Sequence, residues 1–251
     1  MSRYPGRSDG HQRRRVRGSR RVALAGVLIL TLIGSAGTVL AASLPLASKA
    51  LTVYRTCTLT ATPSSSTVET DAFVNQSTPN GTNGTGTTMD SQSSNGANRR
   101  TYVRFDLTRC RPAIPAAASV NGALLRLYVT AIPAVCRTED IFRVGASWTE
   151  TVVTWNNQPF GSAVNNPASG LRTSFITVGA APCQNTAAGT YVNGWNVAAD
   201  VAAFVAGNAT NFGWMVRDDV ENSATARNAR FSTREANLLA QSPQLLITYS
   251  T

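Results

Sequence analysis

The sequence predicts an all-β protein: an antiparallel β-sandwich of the jelly-roll kind with one short helix, preceded by an N-terminal signal or transmembrane helix. Two observations predict the sandwich. Short segments of alternating apolar and polar residues recur from about Val68 to Tyr249, separated by turns rich in Asn, Gly, Ser and Thr. The second is the block Ser147–Pro159, S-W-T-E-T-V-V-T-W-N-N-Q-P, which holds two of the four tryptophans. Val153 and Trp155 lie two apart, so a strand sends both to one face, and Asn156, Asn157 and Pro159 then stop it. Trp148 and Trp155 are thus expected as structural core, each burying on the order of 200 Å².

The helix ahead of the sandwich is predicted from charge. Residues 1–21 form a basic region expected on the cytoplasmic side. Residues 22–48 are uncharged and apolar enough for a signal-peptide core, with Val39–Ala41 as a small-residue cleavage site, or for a transmembrane anchor. Either reading places the rest of the chain outside the cytoplasm, secreted or membrane-anchored. Up to residue 50, eight Arg and one Lys against Asp9 leave +8; the remainder has 14 Arg against 12 acids, only +2. The high pI thus belongs to the leader and gives no reason to expect nucleic-acid binding.

Residues 49–66 read as a short stalk or first strand, with brief alternation from Cys57 to Thr62. The domain proper is expected over 67–251. Thr67–Val74 is its opening strand, Asn75–Gly86 a loop, and the Ser/Asn-rich stretch to Arg99 a poor edge strand or more loop. Tyr102–Leu107 turns Val103, Phe105 and Leu107 inward, and Leu124–Thr130 does so with Leu125, Leu127 and Val129. Asp140–Val144 follows as a hairpin partner, with Phe142 and Val144 buried and Ile141 and Arg143 exposed. Arg172–Val178 and Tyr191–Val197 are further strands. Val197, Val201, Phe204 and Val205 then stand at helical spacing before Gly207. Phe212–Arg217, Asn228–Ser232 and Pro243–Tyr249 complete the sheets.

Cys57, Cys110, Cys136 and Cys183 all follow the leader, and their even count in an oxidising compartment predicts two disulfides. Three pairings are open; strands running up and down in succession favour Cys57 with Cys110 and Cys136 with Cys183.

Two absences restrict the chemistry. His11 and Lys49 are the only His and Lys, so residues 51–251 contain no imidazole or amine for acid–base, Schiff-base or His–metal chemistry. No catalytic residue is predicted. The outward positions Tyr102, Arg104, Asp106, Arg126, Tyr128 and Arg143, extended by Arg217, form the candidate binding face, because Arg forks match carboxylates and Tyr offers a ring with a hydroxyl. Cross-strand ion pairing is the plainer account of the same residues. Asp218, Asp219, Glu221 and Asn222 form the densest acidic cluster. They are the candidate hard-oxygen ligands for Ca²⁺, although their spacing matches no defined calcium loop. No other cofactor is expected.

The ordered series Asp71-Ala-Phe-Val74, Tyr102-Val-Arg-Phe-Asp-Leu107, Ala123-Leu-Leu-Arg-Leu-Tyr-Val129, the W-T-E-x-x-V-T-W-N-N-x-P block, Phe231-Ser-Thr-Arg-Glu235 and Pro243-Gln-Leu-Leu-Ile-Thr-Tyr249 resembles the DNRLRE-type domain, grouped with carbohydrate-binding module family 96. The resemblance implies a secreted or surface-attached jelly roll of the kind found beside polysaccharide-degrading enzymes, with alginate-type glycans bound by some members. Asn83-Gly84 lacks the aromatic that members commonly carry between these two residues, and no catalytic domain accompanies the module within these residues. The expected function is non-catalytic binding of an acidic polysaccharide or cell-envelope glycan. One alternative is a structural or adhesive surface protein that meets other proteins. A more remote one is a polysaccharide lyase, which needs a Tyr, an Arg and an Asn converging in a groove.

Overall fold

The computed structural model describes residues 51–61 and 68–251. The expected leader helix at 22–48 and the basic region before it lie outside these residues. Among the described residues no helix is long and apolar enough to cross a membrane.

The first strand, β1 (Tyr54–Thr60), is no stalk. It pairs antiparallel along its whole length with the last strand, which buries Cys57 and Leu59. Next come β2 (Glu69–Asn75), β3 (Thr88–Ser93), β4 (Arg99–Phe105), β5 (Ser119–Arg126), β6 (Tyr128–Ala131), β7 (Arg137–Arg143) and β8 (Ser174–Val178). The expected strand at Tyr191–Val197 is two short ones, β9 (Thr190–Tyr191) and β10 (Trp195–Asn196), separated around Gly194 at φ +102°. Helix α1 (Ala198–Val205) follows, and Gly207 at φ +73° ends it as its spacing predicts. The chain closes with β11 (Trp214–Asp218), β12 (Arg227–Ser232) and β13 (Gln244–Ser250).

Two antiparallel sheets result. The smaller runs β1-β13-β5-β10; the larger runs β8-β7-β11-β4-β3-β12-β6-β9, with β2 also paired to β4. Leu59, Leu125, Leu245 and Ile247 from the first sheet and Val103, Phe105, Trp214 and Phe231 from the second share one apolar core, so the molecule is a β-sandwich. Alternation delivers that core: Leu125, Leu127 and Val129 are all fully buried, although the chain passes from one sheet to the other between Arg126 and Tyr128. The disulfides join Cys57 to Cys110 and Cys136 to Cys183.

Three expectations are corrected. The Ser/Asn-rich stretch forms β3 inside the larger sheet, not an edge or loop. Its buried polar side chains are each met: Ser91 donates to Glu139, Asp90 pairs with Arg99 and Arg230, and Ser93 donates to the Val220 carbonyl. Ile141 is fully buried, because β7 has apolar neighbours on both faces: Ile141 belongs to the sandwich core and Phe142 to a second cluster. The Trp block is not a strand. Residues 147–160 form successive turns, closed by the Asn157 side chain, which accepts from the Thr154 N–H and donates to the Val152 carbonyl.

That turn-rich segment lies as a cover over the outer face of the larger sheet. Register places Ala72, Tyr102, Met215 and Phe142 in one row across β2, β4, β11 and β7. Trp148, Val153 and Trp155 pack on this row. Both tryptophans are therefore core residues, in a layer that strand alternation does not reveal.

Candidate functional site

On the outer face of β4 the alternate positions are Arg100, Tyr102 and Arg104, and the cover treats them differently. Arg100 is fully buried. Its Nε and Nη2 donate to the two Glu221 carboxylate oxygens at 2.7 and 2.8 Å, and Trp155 lies against its guanidinium at 4.5 Å. Tyr102 sits beneath Trp148 with ring centres 5.5 Å apart and donates its hydroxyl to Gln158 at 2.9 Å. Burial drives its phenol far above the usual value, so it stays protonated. Arg104 is the first side chain of the row to emerge. Its guanidinium stacks against Trp148 at 5.6 Å and makes no ion pair among the described residues.

Arg104 and Asp106 open onto a groove of about 490 Å³ lined also by Thr70, Thr108, Phe204 and Asn211. Its walls are built by different means. Phe204 comes from α1 and is fixed by its ring contact with Trp214 at 5.6 Å. Asn211 is held by donating to the Phe105 carbonyl and accepting from the Gly213 N–H. Gly213 has φ +76°, and an added Cβ there would meet the Val103 carbonyl at 2.2 Å, so only glycine allows this close approach. Asp106 accepts from the Thr108 backbone and hydroxyl and pairs with Arg109 at 3.3 Å. Burial opposes its charge, but these bonds outweigh it and hold the carboxyl below its usual range. The groove thus offers one guanidinium with no carboxylate partner, hydroxyls and a ring face, beside the carboxyls of Asp106 and Glu69. Arg104 and Asn211 are present for a lyase, but no Tyr is among the lining residues.

The remaining members of the expected face go elsewhere. Arg217 lies on the outer side but is buried under the 165–169 loop, where its Nη2 donates to the Pro167 carbonyl at 2.5 Å. Arg143 is exposed but has the inner-face parity of Trp214, with which it is in register. It lines a separate groove with Arg172 and Asp200 and reaches Asp200 at 3.3 Å. Arg126 and Tyr128 sit with Tyr191 where β6 meets β9; Arg126 lies over the Tyr191 ring at 5.0 Å. The seven residues thus form no single face, because the cover buries Tyr102, the 165–169 loop buries Arg217, parity turns Arg143 inward, and the β5–β6 crossing removes Arg126 and Tyr128.

The acidic cluster is likewise divided. Asp218 and Asp219 both pair with Arg137, and Glu221 with Arg100, so these carboxylates already have cationic partners. Sequence reasoning missed Phe204 and Asn211. Phe204 carries its helical spacing in the sequence, but nothing there marks it as a groove wall.

A sequence profile of carbohydrate-binding module family 96 matches residues 62–249. No curated protein matches the chain.

Proposed function

From the premise that this chain belongs to carbohydrate-binding module family 96, we propose that it is an exported, non-catalytic jelly-roll module that binds an acidic polysaccharide in the Arg104 groove. The observation that carries this reading is the Arg104 guanidinium, anchored on Trp148 without a carboxylate partner and facing a groove walled by Phe204. A planar fork of this kind pairs bidentately with a uronate carboxylate, and the ring face suits the apolar side of a pyranose. The basic and then apolar leader supports export, with the domain secreted or held at the membrane outside the cytoplasm. Two disulfides fit the same oxidising surroundings.

Affinity electrophoresis of the intact chain in gels containing alginate or other uronate polymers tests the proposal. Arg104→Ala should weaken retention about ten-fold or more, the worth of a charge-assisted bond of about 1.5–3 kcal/mol. Its melting temperature should stay near that of the parent, since the side chain is only partly buried. Arg126→Ala, on the other cluster, should retain binding. Unchanged retention of Arg104→Ala would retire the groove. Unsaturated products released from the polymer would replace the binding reading with the lyase.

A further inference from the structure

The least balanced charge in the described molecule lies at the β2 end of the cover. Glu69 and Asp71 are buried on β2, Glu150 comes from the cover, and Glu235 follows β12. Arg234 is the cation among them: its Nη2 donates to both Glu150 and Glu235, and its backbone N–H donates to Asp71 Oδ2 at 3.1 Å. Its Nη1 stands 3.9 Å from Glu69 Oε2, too far for a hydrogen bond. One guanidinium stands among four carboxylates, so the cluster is short of cationic partners.

The oxygens are also left over. Asp71 Oδ1, both Glu69 carboxylate oxygens and Glu235 Oε2 are buried with no hydrogen-bond donor. Asp71 is 0 % exposed and Glu69 1 %. One oxygen each from Asp71, Glu150 and Glu235 lie within 4.8 Å of one another. Two oxygens on opposite sides of a Ca²⁺ at about 2.4 Å stand at most about 4.8 Å apart, so the three fit a single calcium sphere. Gly84 holds the adjoining loop tightly against this point: a Cβ on it would lie 2.1 Å from the Glu150 carbonyl oxygen.

We infer that Asp71, Glu150 and Glu235 bind one Ca²⁺, with Glu69 supplying charge behind them, and that the ion ties the cover to β2 and to the turn after β12. An all-oxygen anionic set selects a hard cation. Ligands drawn from three separate segments suit the adaptable coordination of Ca²⁺ better than the strict octahedron of Mg²⁺. This site is distinct from the Asp218–Glu221 cluster, whose carboxylates face Arg137 and Arg100.

The test is calorimetric titration of CaCl₂ into the intact, EGTA-treated chain, with melting followed in parallel. The expected result is one ion per chain and, at about a hundred-fold excess over Kd, a melting temperature raised by about 5–10 °C. EGTA should reverse the rise, and MgCl₂ at equal concentration should give a smaller one. Asp71→Asn and Glu235→Gln should each abolish the calcium response, whereas Asp219→Asn should keep it. Should Asp71→Asn fail to fold, Glu235→Gln, at a partly exposed position, carries the test alone. No heat and no shift up to about 10 mM CaCl₂, a response persisting in the Glu235 variant, or an equal response to Mg²⁺ would each overturn the inference.

Discussion

Replacing Arg100 by Met should be among the most damaging single changes to the covered layer. The side chain and its partner Glu221 are both fully buried, and the bidentate pair is supported by the Gln158 side chain and by the Gly161 and Ala163 carbonyls at 3.0 and 2.6 Å. Once the guanidinium is gone, the Glu221 carboxylate retains, among the described residues, only the N–H of Asn165, at 2.6 Å, as a hydrogen-bond donor. Stranding a buried charge in this way costs about 3–5 kcal/mol. For a domain of 150–250 residues each kcal/mol moves Tm by roughly 2–4 °C, so the fall should be about 6–20 °C. The double variant Arg100→Met with Glu221→Leu should recover a large part of the loss, because it removes the orphaned carboxylate along with its partner. Differential scanning calorimetry of the parent, both single variants and the double variant reads the coupling directly. Trp155 fluorescence reports whether the cover loosens, since that ring stacks on Arg100. A single variant melting within about 2 °C of the parent would show that solvent already reaches the pair, and the covered-face argument would fail.

Further outcomes concern packing, pH and redox state. Gly84→Ala should destabilise the fold by about 1–3 kcal/mol in urea melts, because the new methyl meets the backbone of Glu150 rather than a movable side-chain end. Burial first, and then the charge of Asp218, holds the Glu139 carboxyl well above its usual value. The folded state therefore keeps a proton that the unfolded chain gives up, and stability falls as pH rises above the ordinary Glu range, by at most about 1.4 kcal/mol per pH unit. Glu139→Gln should flatten this slope in urea melts taken at several pH values; an unchanged slope would assign it to other groups. Reduction should cost about 4 kcal/mol per bridge by loop entropy for separations of 53 and 47 residues, which paired melts with and without reductant measure.

The sandwich was legible because its inner faces obey strict alternation, as Val103 and Phe105 or Leu125, Leu127 and Val129 show. Strand β3 was not, since Thr88–Ser93 is stabilised by Ser91, Ser93 and Asp90 finding distant polar partners rather than by apolar burial. The site was legible only in part. Arg104 and Asp106 could be chosen from parity, but the same parity put Tyr102 on a wet face that is dry in the fold. Period-two reasoning tells one side of a sheet from the other and cannot tell whether a third layer lies on top. The block Trp148–Trp155 carried that layer in its composition, yet its β-branched run imitated a strand. Arg143 illustrates a different failure: its outward assignment presumed one phase for β7, whereas apolar residues occupy both faces there.

The segment 147–160 also acts as a ruler laid along β4. It roofs Arg100 and Tyr102 and stops short of Arg104, so the length of this one stretch decides where the strand first meets solvent. Successive outward positions on a strand are about 6.8 Å apart. Trimming the roof past Trp148 would therefore advance the lip by that step and bring the phenol of Tyr102 to the surface, while lengthening it would close over the guanidinium. Ligand reach in such a scaffold can change through insertions and deletions in the roof, with every strand left as it is.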